Sequence, residues 1–252
     1  MLKKIPFWIT YVFLYVPIVV VVAMSFNAGD SPYSWSGFSL SWYAELAKDE
    51  QIRIGLGNTL LVATGSTVIA TVLGTLLAVG LARHTRSKVL DAIATLPVIL
   101  PDIVLAIGLL AFYSLIQLTL GLYSVLLAHA VFGTAAVAAV VRTRLNGTDP
   151  SLEEASRDLG ANGFSTFLRI TLPTLAPGIV AGALLAFTLS VDEFVIAFFT
   201  AGPQSPTLPI VIYSMVRFGV TPEINALATV LLAVTFTAII AAARLTRLTE
   251  RR

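Results

Sequence analysis

Thr148-Asp149-Pro150-Ser151-Leu152-Glu153-Glu154-Ala155-Ser156-Arg157-Asp158-Leu159-Gly160-Ala161-Asn162-Gly163-Phe164-Ser165-Thr166-Phe167-Leu168-Arg169-Ile170-Thr171-Leu172-Pro173 is a charged segment set between two long apolar runs. It reads as two short helices around a turn. Ser151 and Glu154 have the S-x-x-E spacing of a capping box, which satisfies orphan amide donors at a helix start. Leu152, Ala155, Ser156 and Leu159 recur at i, i+3, i+4 and i+7, so they share one helical stripe. Gly160 suits the left-handed conformation that ends such a helix. Asn162-Gly163 continues the turn, and a second helix bearing Phe164, Phe167 and Leu168 runs to Pro173. An amphipathic pair of this kind must bury its apolar face. The candidates are the membrane surface, the ends of the protein's own helices and a groove on a soluble partner.

On either side of this segment the chain is apolar. Of 252 residues, 57% are hydrophobic and 12% charged, against about 25% charged in an ordinary soluble domain. So little polar surface cannot cover a water-soluble globule. A bilayer core about 30 Å thick asks for about 20 apolar residues per helix. Six runs qualify: residues 6–26, 58–82, 91–117, 122–141, 174–200 and 225–243. The expected fold is an all-α membrane protein, a single transmembrane domain over 1–252 with the polar loop 148–173 between its fourth and fifth spans. The first run follows Lys3-Lys4, exceeds the apolar core of a signal peptide and has no A-x-A site after it, so it reads as a retained anchor.

With six spans both termini lie on one face. Thirteen of the sixteen Lys and Arg then fall on that face, and Lys48, Arg53 and Arg217 on the other. By the positive-inside rule both termini and loop 148–173 are cytoplasmic. The chain has no cysteine, so it has neither a disulfide frame nor thiol chemistry.

Small residues mark helix interfaces in lipid, because association there depends on close packing. Ala70-xxx-Gly74 lies in the second span and Gly178-xxx-Gly182-xxx-Ala186 in the fifth. Pro97 and Pro101 should kink the third span, each removing a helical donor. Residues 27–57, with Trp35, Phe38, Trp42 and Tyr43 among charges, suit an aromatic belt or a short surface helix. Residues 201–224 read as an outer loop with a partial or re-entrant helix over Leu208 to Val216.

Glu154-Ala155-Ser156, Gly160, Ile170, Leu172 and Pro173 resemble the "EAA" loop of ABC importer permeases: EAA, three residues, G, nine residues, I-x-L-P. The single departure is Ser156 in place of a second Ala. The wider chain is most similar to the smaller permease subunit of spermidine/putrescine transporters, through Ser25-Phe26-Asn27, Trp42-Tyr43, residues 184–194 and residues 222–229. The resemblance implies a type I ABC importer permease fold in a bacterial inner membrane. It implies that the loop forms coupling helices docking into a cytoplasmic ATPase dimer, which binds ATP and magnesium. It also implies a second, homologous permease and a periplasmic or lipid-anchored solute-binding protein. Glu154, Ala155, Ser156, Gly160, Ile170, Leu172 and Pro173 would then be the ATPase-coupling residues.

Three carboxylates, Asp102, Asp192 and Glu193, fall inside expected spans. An acidic side chain there costs roughly 2.5–3.5 kcal/mol on insertion scales, so it needs water, a cation or a proton. They are candidate substrate-path residues for a cationic cargo, a polyamine above all. The alternative is that they bond to neighbouring helix ends or to the partner permease. The same architecture could instead import phosphonate, sulfate or ferric ion, and a proton-coupled secondary transporter would leave the loop without a purpose. His84 and His129 have no second ligand at metal spacing, and no G-x-x-x-x-G-K-[ST] loop or paired nucleophile occurs. The chain is therefore read as a transport subunit and not an enzyme, with no metal or cofactor of its own.

Overall fold

A computed structural model of the protein describes residues 5–31, 34–83, 85, 87–219 and 221–249. His84 lies outside the described residues. Regular structure among them is helical: α1 (Ile5–Met24), α2 (Ser41–Leu46), α3 (Glu50–Arg83), α4 (Lys88–Ile99), α5 (Asp102–Leu115), α6 (Leu122–Asn146), α7 (Ser151–Asp158), α8 (Gly163–Thr166), α9 (Leu172–Asp192), α10 (Val195–Thr200), α11 (Leu208–Phe218) and α12 (Pro222–Thr249). A lone antiparallel bridge joins Asn27 to Phe38.

Among the described residues four helices, α1, α3, α6 and the run through α8 and α9, are long and apolar enough to cross a bilayer. The expected third span is not one helix. It divides into α4 and α5, which meet at an angle of 107°. Pro101 is the cause: its ring disfavours the α conformation at Leu100, whose ψ of 144° is extended. Pro97, by contrast, sits inside α4. The expected fifth span also stops early. α9 ends at Asp192 and α10 starts at Val195, so residues 174–200 are not one continuous helix. The partial helix anticipated in the 201–224 loop is α11, and the sixth apolar run lies within α12.

The chain forms two compact units, Met1–Arg53 with Val211–Arg252 and Ile54–Ile210. In the first, α12 packs against α1 and α2. The loop from α1 to α2 is built around buried Asn27. Its amide nitrogen donates to the carbonyls of Ser31 (3.0 Å) and Ser34 (2.8 Å), and its side-chain oxygen accepts from the Ser36 amide at 2.7 Å. Trp42 Nε1 donates to the Asn27 carbonyl at 2.9 Å, and Phe26 stacks on Phe38 with ring centroids 5.5 Å apart. Saturating the amide in this way removes the penalty of burying it.

In the second unit the core is α6, which packs against α4, α5, α9 and α10. Both small-residue faces anticipated from sequence land on it. A Cβ on Gly74 would sit 2.7 Å from the Thr134 carbonyl oxygen, and one on Gly182 3.3 Å from Val137. Ala70, Ala186, Val137 and Val141 form the buried seam between them. Such approach gains dispersion contacts that larger side chains would hold apart.

Candidate functional site

Helix α7 begins without the capping box. Ser151 is already inside the helix and makes no cap, and Asp149 takes the role by accepting from the Ser151 amide at 3.0 Å. That amide and the Ser151 hydroxyl hold the Asp149 carboxyl below its ordinary value. Pro150, whose missing amide proton is no loss at a helix start, separates the two. Gly160 closes the helix with φ +87°, as its position predicts. Asn162 then caps the second helix, its side-chain oxygen accepting from the Ser165 amide at 2.8 Å. This second helix is shorter than expected. After α8 the chain passes through a π-helical turn, Phe167–Thr171, before α9 starts at Leu172. Ile170 lies in that turn, while Leu172 and Pro173 open the span.

The pair turns its apolar face outward. Leu152 is 50% exposed, Leu159 89% and Phe164 72%, with Glu154 and Ala155 exposed between them. The inward edge is polar. Ser156 Oγ lies 3.1 Å from Thr166 Oγ1 and joins the two helices. Glu153, only 13% exposed, takes the Arg83 guanidinium on Oε1 at 2.8 Å and the Thr171 hydroxyl on the same oxygen at 3.0 Å. A cleft of ≈ 440 Å³ lies behind the pair, with Arg83, Glu153, Arg157, Phe167 and Thr171 in its wall. The protein's own helix ends therefore cover only part of the stripe: Leu152 shares a crevice with Leu145, Ile170 and Leu175, while Leu159 stands open. Glu153, Arg83 and Thr171 were not singled out from sequence, because Glu153 pairs across 70 residues with Arg83 and 18 with Thr171, without a periodic signature.

The three carboxylates lie at the helix breaks. Asp102 is the first residue of α5 and Asp192 the last of α9, both exposed, and Glu193 lies in the link to α10. The charge of Asp102, 91 positions earlier in the sequence, reaches Glu193, as does that of its neighbour Asp192. The expected placements need two corrections. Asp102 is at a helix start, not deep inside a continuous span, and Glu193 is outside the helix, at ψ 111°. Glu193 also accepts from the Ile196 amide at 2.7 Å, so it caps α10. Asp102 and Asp192 carry no such bond among the described residues.

Two polar networks set the elements that bear these groups. Ser124 Oγ donates to the Thr200 carbonyl at 2.6 Å and Tyr113 hydroxyl donates to the Ser124 carbonyl at 3.1 Å, tying α5 and α10 to the start of α6. Ser190, one turn before the break, bonds to Ser66 of α3 and His129 of α6. His129 is thus a core histidine in a hydrogen-bonded cluster. The arrangement offers an outward apolar ridge on one loop and concentrated negative charge at two helix breaks.

Residues 70–252 match the family described as "Binding-protein-dependent transport system inner membrane component". The chain is 41% identical to the putrescine transport system permease protein PotI of Escherichia coli (strain K12), over 88% of this chain and 82% of that one. It is 36% identical to the spermidine/putrescine transport system permease protein PotC of Haemophilus influenzae, over 95% and 94%. Its fold resembles a chain of a bacterial ABC transporter importing the acidic polysaccharide alginate (TM-score 0.72, 15% identity, 96% and 94% covered). It also resembles a chain of the MetNI methionine ABC transporter (TM-score 0.63, 21% identity, 83% and 98% covered).

Proposed function

The chain belongs to the family of binding-protein-dependent transport system inner membrane components and is a permease subunit of an ABC importer, and from that premise we propose that its cargo is a polyamine, putrescine or spermidine. The names of PotI and PotC support this cargo. So does the chemistry: an extended di- or triammonium ion matches carboxylates gathered at Asp102, Asp192 and Glu193. A mobile cation also supplies the compensation that intramembrane carboxylates require. An anionic cargo would meet like charge at the same place.

The proposed topology has six spans, with α4–α5 as a broken third span and residues 225–243 of α12 as the sixth, and both termini in the cytoplasm of a bacterial inner membrane. The permease would pair with a second, homologous subunit, two ATPase subunits that carry ATP and magnesium, and a periplasmic or lipid-anchored solute-binding protein. The ridge formed by Leu152, Ala155 and Leu159 with Phe164 docks into the ATPase. Glu154 lies at its edge, Gly160 and Ser156 set the turn, and Ile170, Leu172 and Pro173 pass the load into α9. The observation that carries this reading is the outward exposure of that apolar stripe while the polar edge faces in. A surface of this kind gains most from a groove that removes it from water.

The test is co-purification of the importer's ATPase with this chain, followed by putrescine uptake in proteoliposomes. Leu159→Arg should strip the ATPase from the complex. Retention of the ATPase by that variant, or an intact importer that ignores putrescine and spermidine, would refute the corresponding half of the proposal.

A further inference from the structure

The coupling loop has two adjacent glutamates that do opposite things. Glu154 is exposed, and its carboxylate has no bond among the described residues. Glu153, about 100° around the helix, points inward and takes two hydrogen bonds and one longer ion-pair contact. Its Oε1 receives Arg83 at 2.8 Å and Thr171 at 3.0 Å, and its Oε2 faces Arg157 at 3.9 Å. Arg83 is the last residue of α3, and Thr171 directly precedes α9. One carboxylate oxygen therefore joins α7 to the ends of two long apolar helices.

We propose that Glu153 is the positioning residue that passes movement of α7 simultaneously to α3 and α9. This rests on the reading of α7–α8 as the docking helices. Three features support a mechanical role. First, the Arg83–Glu153 contact is the sole hydrogen bond between α3 and the 148–173 loop among the described residues. Second, the side chains of Glu153 and Arg83 are 13% and 29% exposed, so water screens this pair less than an open surface bridge. Third, the cleft of ≈ 440 Å³ beside it leaves the loop room to shift, so the bond and not dense packing fixes its position. Thr171 adds a second lever, because it ends the π-helical turn, and such turns mark places where a helix can change register.

The experiment uses the whole importer in proteoliposomes, with its ATPase, second permease and binding protein. It reads three quantities: ATPase retained on purification, ATP hydrolysed, and putrescine imported per ATP. Glu153→Ala and Arg83→Ala should each retain the ATPase and its hydrolysis while import per ATP falls about tenfold, within the range of a coupling energy of 1–3 kcal/mol. Thr171→Val should lower it less. The exchange R83E/E153R should recover most of what E153R alone loses, since the opposed charges are restored with their order reversed. Import per ATP unchanged in both alanine variants would overturn the proposal, as would an exchange no better than E153R. Leu159→Arg runs alongside and reports docking by itself. If it keeps the ATPase, the docking reading fails, and the Glu153 results are then read without it.

Discussion

The Oγ of Ser190 lies 2.7 Å from Nδ1 of His129, and both groups are buried. The same Oγ is 3.2 Å from Ser66 Oγ, which donates to the Ala63 carbonyl at 3.3 Å. His129, Ser190 and Ser66 thus form one hydrogen-bonded line, and His129 Nε2 is buried without a partner among the described residues. Three helices, α3, α6 and α9, are held by this one line one turn before the Asp192–Glu193 break.

Ser190→Ala should lower the unfolding free energy by about 1–3 kcal/mol, the cost of leaving buried polar groups unpaired. Thr188→Ala, which removes a bond to its own helix at an exposed site, should stay within about 0.5 kcal/mol. Denaturant unfolding of the detergent-solubilised chain distinguishes the two.

The carboxylates should divide by role. Asp102→Asn with Asp192→Asn should depress polyamine uptake about tenfold or more, with ATPase retention unchanged; a factor of ten corresponds to about 1.4 kcal/mol of lost cation attraction. Glu193→Gln keeps an acceptor for the Ile196 amide, whereas Glu193→Ala removes it and should cost about 1 kcal/mol of stability as a lost cap. Radiolabelled putrescine uptake and thermal unfolding together separate charge from capping. Normal uptake in the Asp double variant would remove the substrate-path assignment.

Helix glycines should differ by what a methyl group would meet. Gly74→Ala places a Cβ 2.7 Å from the Thr134 carbonyl and from Val137, and should cost about 1–3 kcal/mol by overpacking. Gly108→Ala meets nothing within 4 Å and should gain about 0.5–1 kcal/mol from helix propensity. Melting temperatures of the two variants in the same detergent should move in opposite directions.

Two carboxylates outside the spans should give opposite pH signatures. Desolvation first, and then the charges of Asp49 and Glu45, hold Glu223 above its ordinary value. Its protonated form is favoured by folding, so that contribution is present at low pH and is lost as pH rises through the folded pKa. Glu223→Gln should therefore raise the melting temperature at neutral pH, with the gain vanishing in acid. Asp149 is held low by its bonds to Ser151, so its contribution is present at neutral pH and is lost as pH falls below the ordinary carboxylate value of about 3.9. Asp149→Ala should lower the melting temperature at pH 7 and have no effect in strong acid.

The apolar runs, the loop's helical stripe, the left-handed Gly160 and the small-residue faces of α3 and α9 were legible in the sequence. Each is a local or periodic property, repeated within a few turns. The capping of α7 was misread because Ser151 and Asp149 both offer an oxygen near the first turn. The choice between them depends on where Pro150 places the backbone. The break after Asp192 had no proline or glycine to announce it. Glu193 stabilises the restart at Val195 by bonding to a free amide, a compensation visible only in space.

Hydropathy and charge alone were enough to determine that this chain lives in lipid and carries an amphipathic loop. Solvation depends on residue type and spacing, and those are written in order along the chain. Folding alone decided that Glu153 rather than Glu154 faces Arg83, that the charge of Asp102 reaches Glu193, and that His129 serves Ser190. These pairings join residues 60 or more positions apart. Their energy depends on distances of a few ångströms, which only the packing of α3, α5 and α9 around α6 can set.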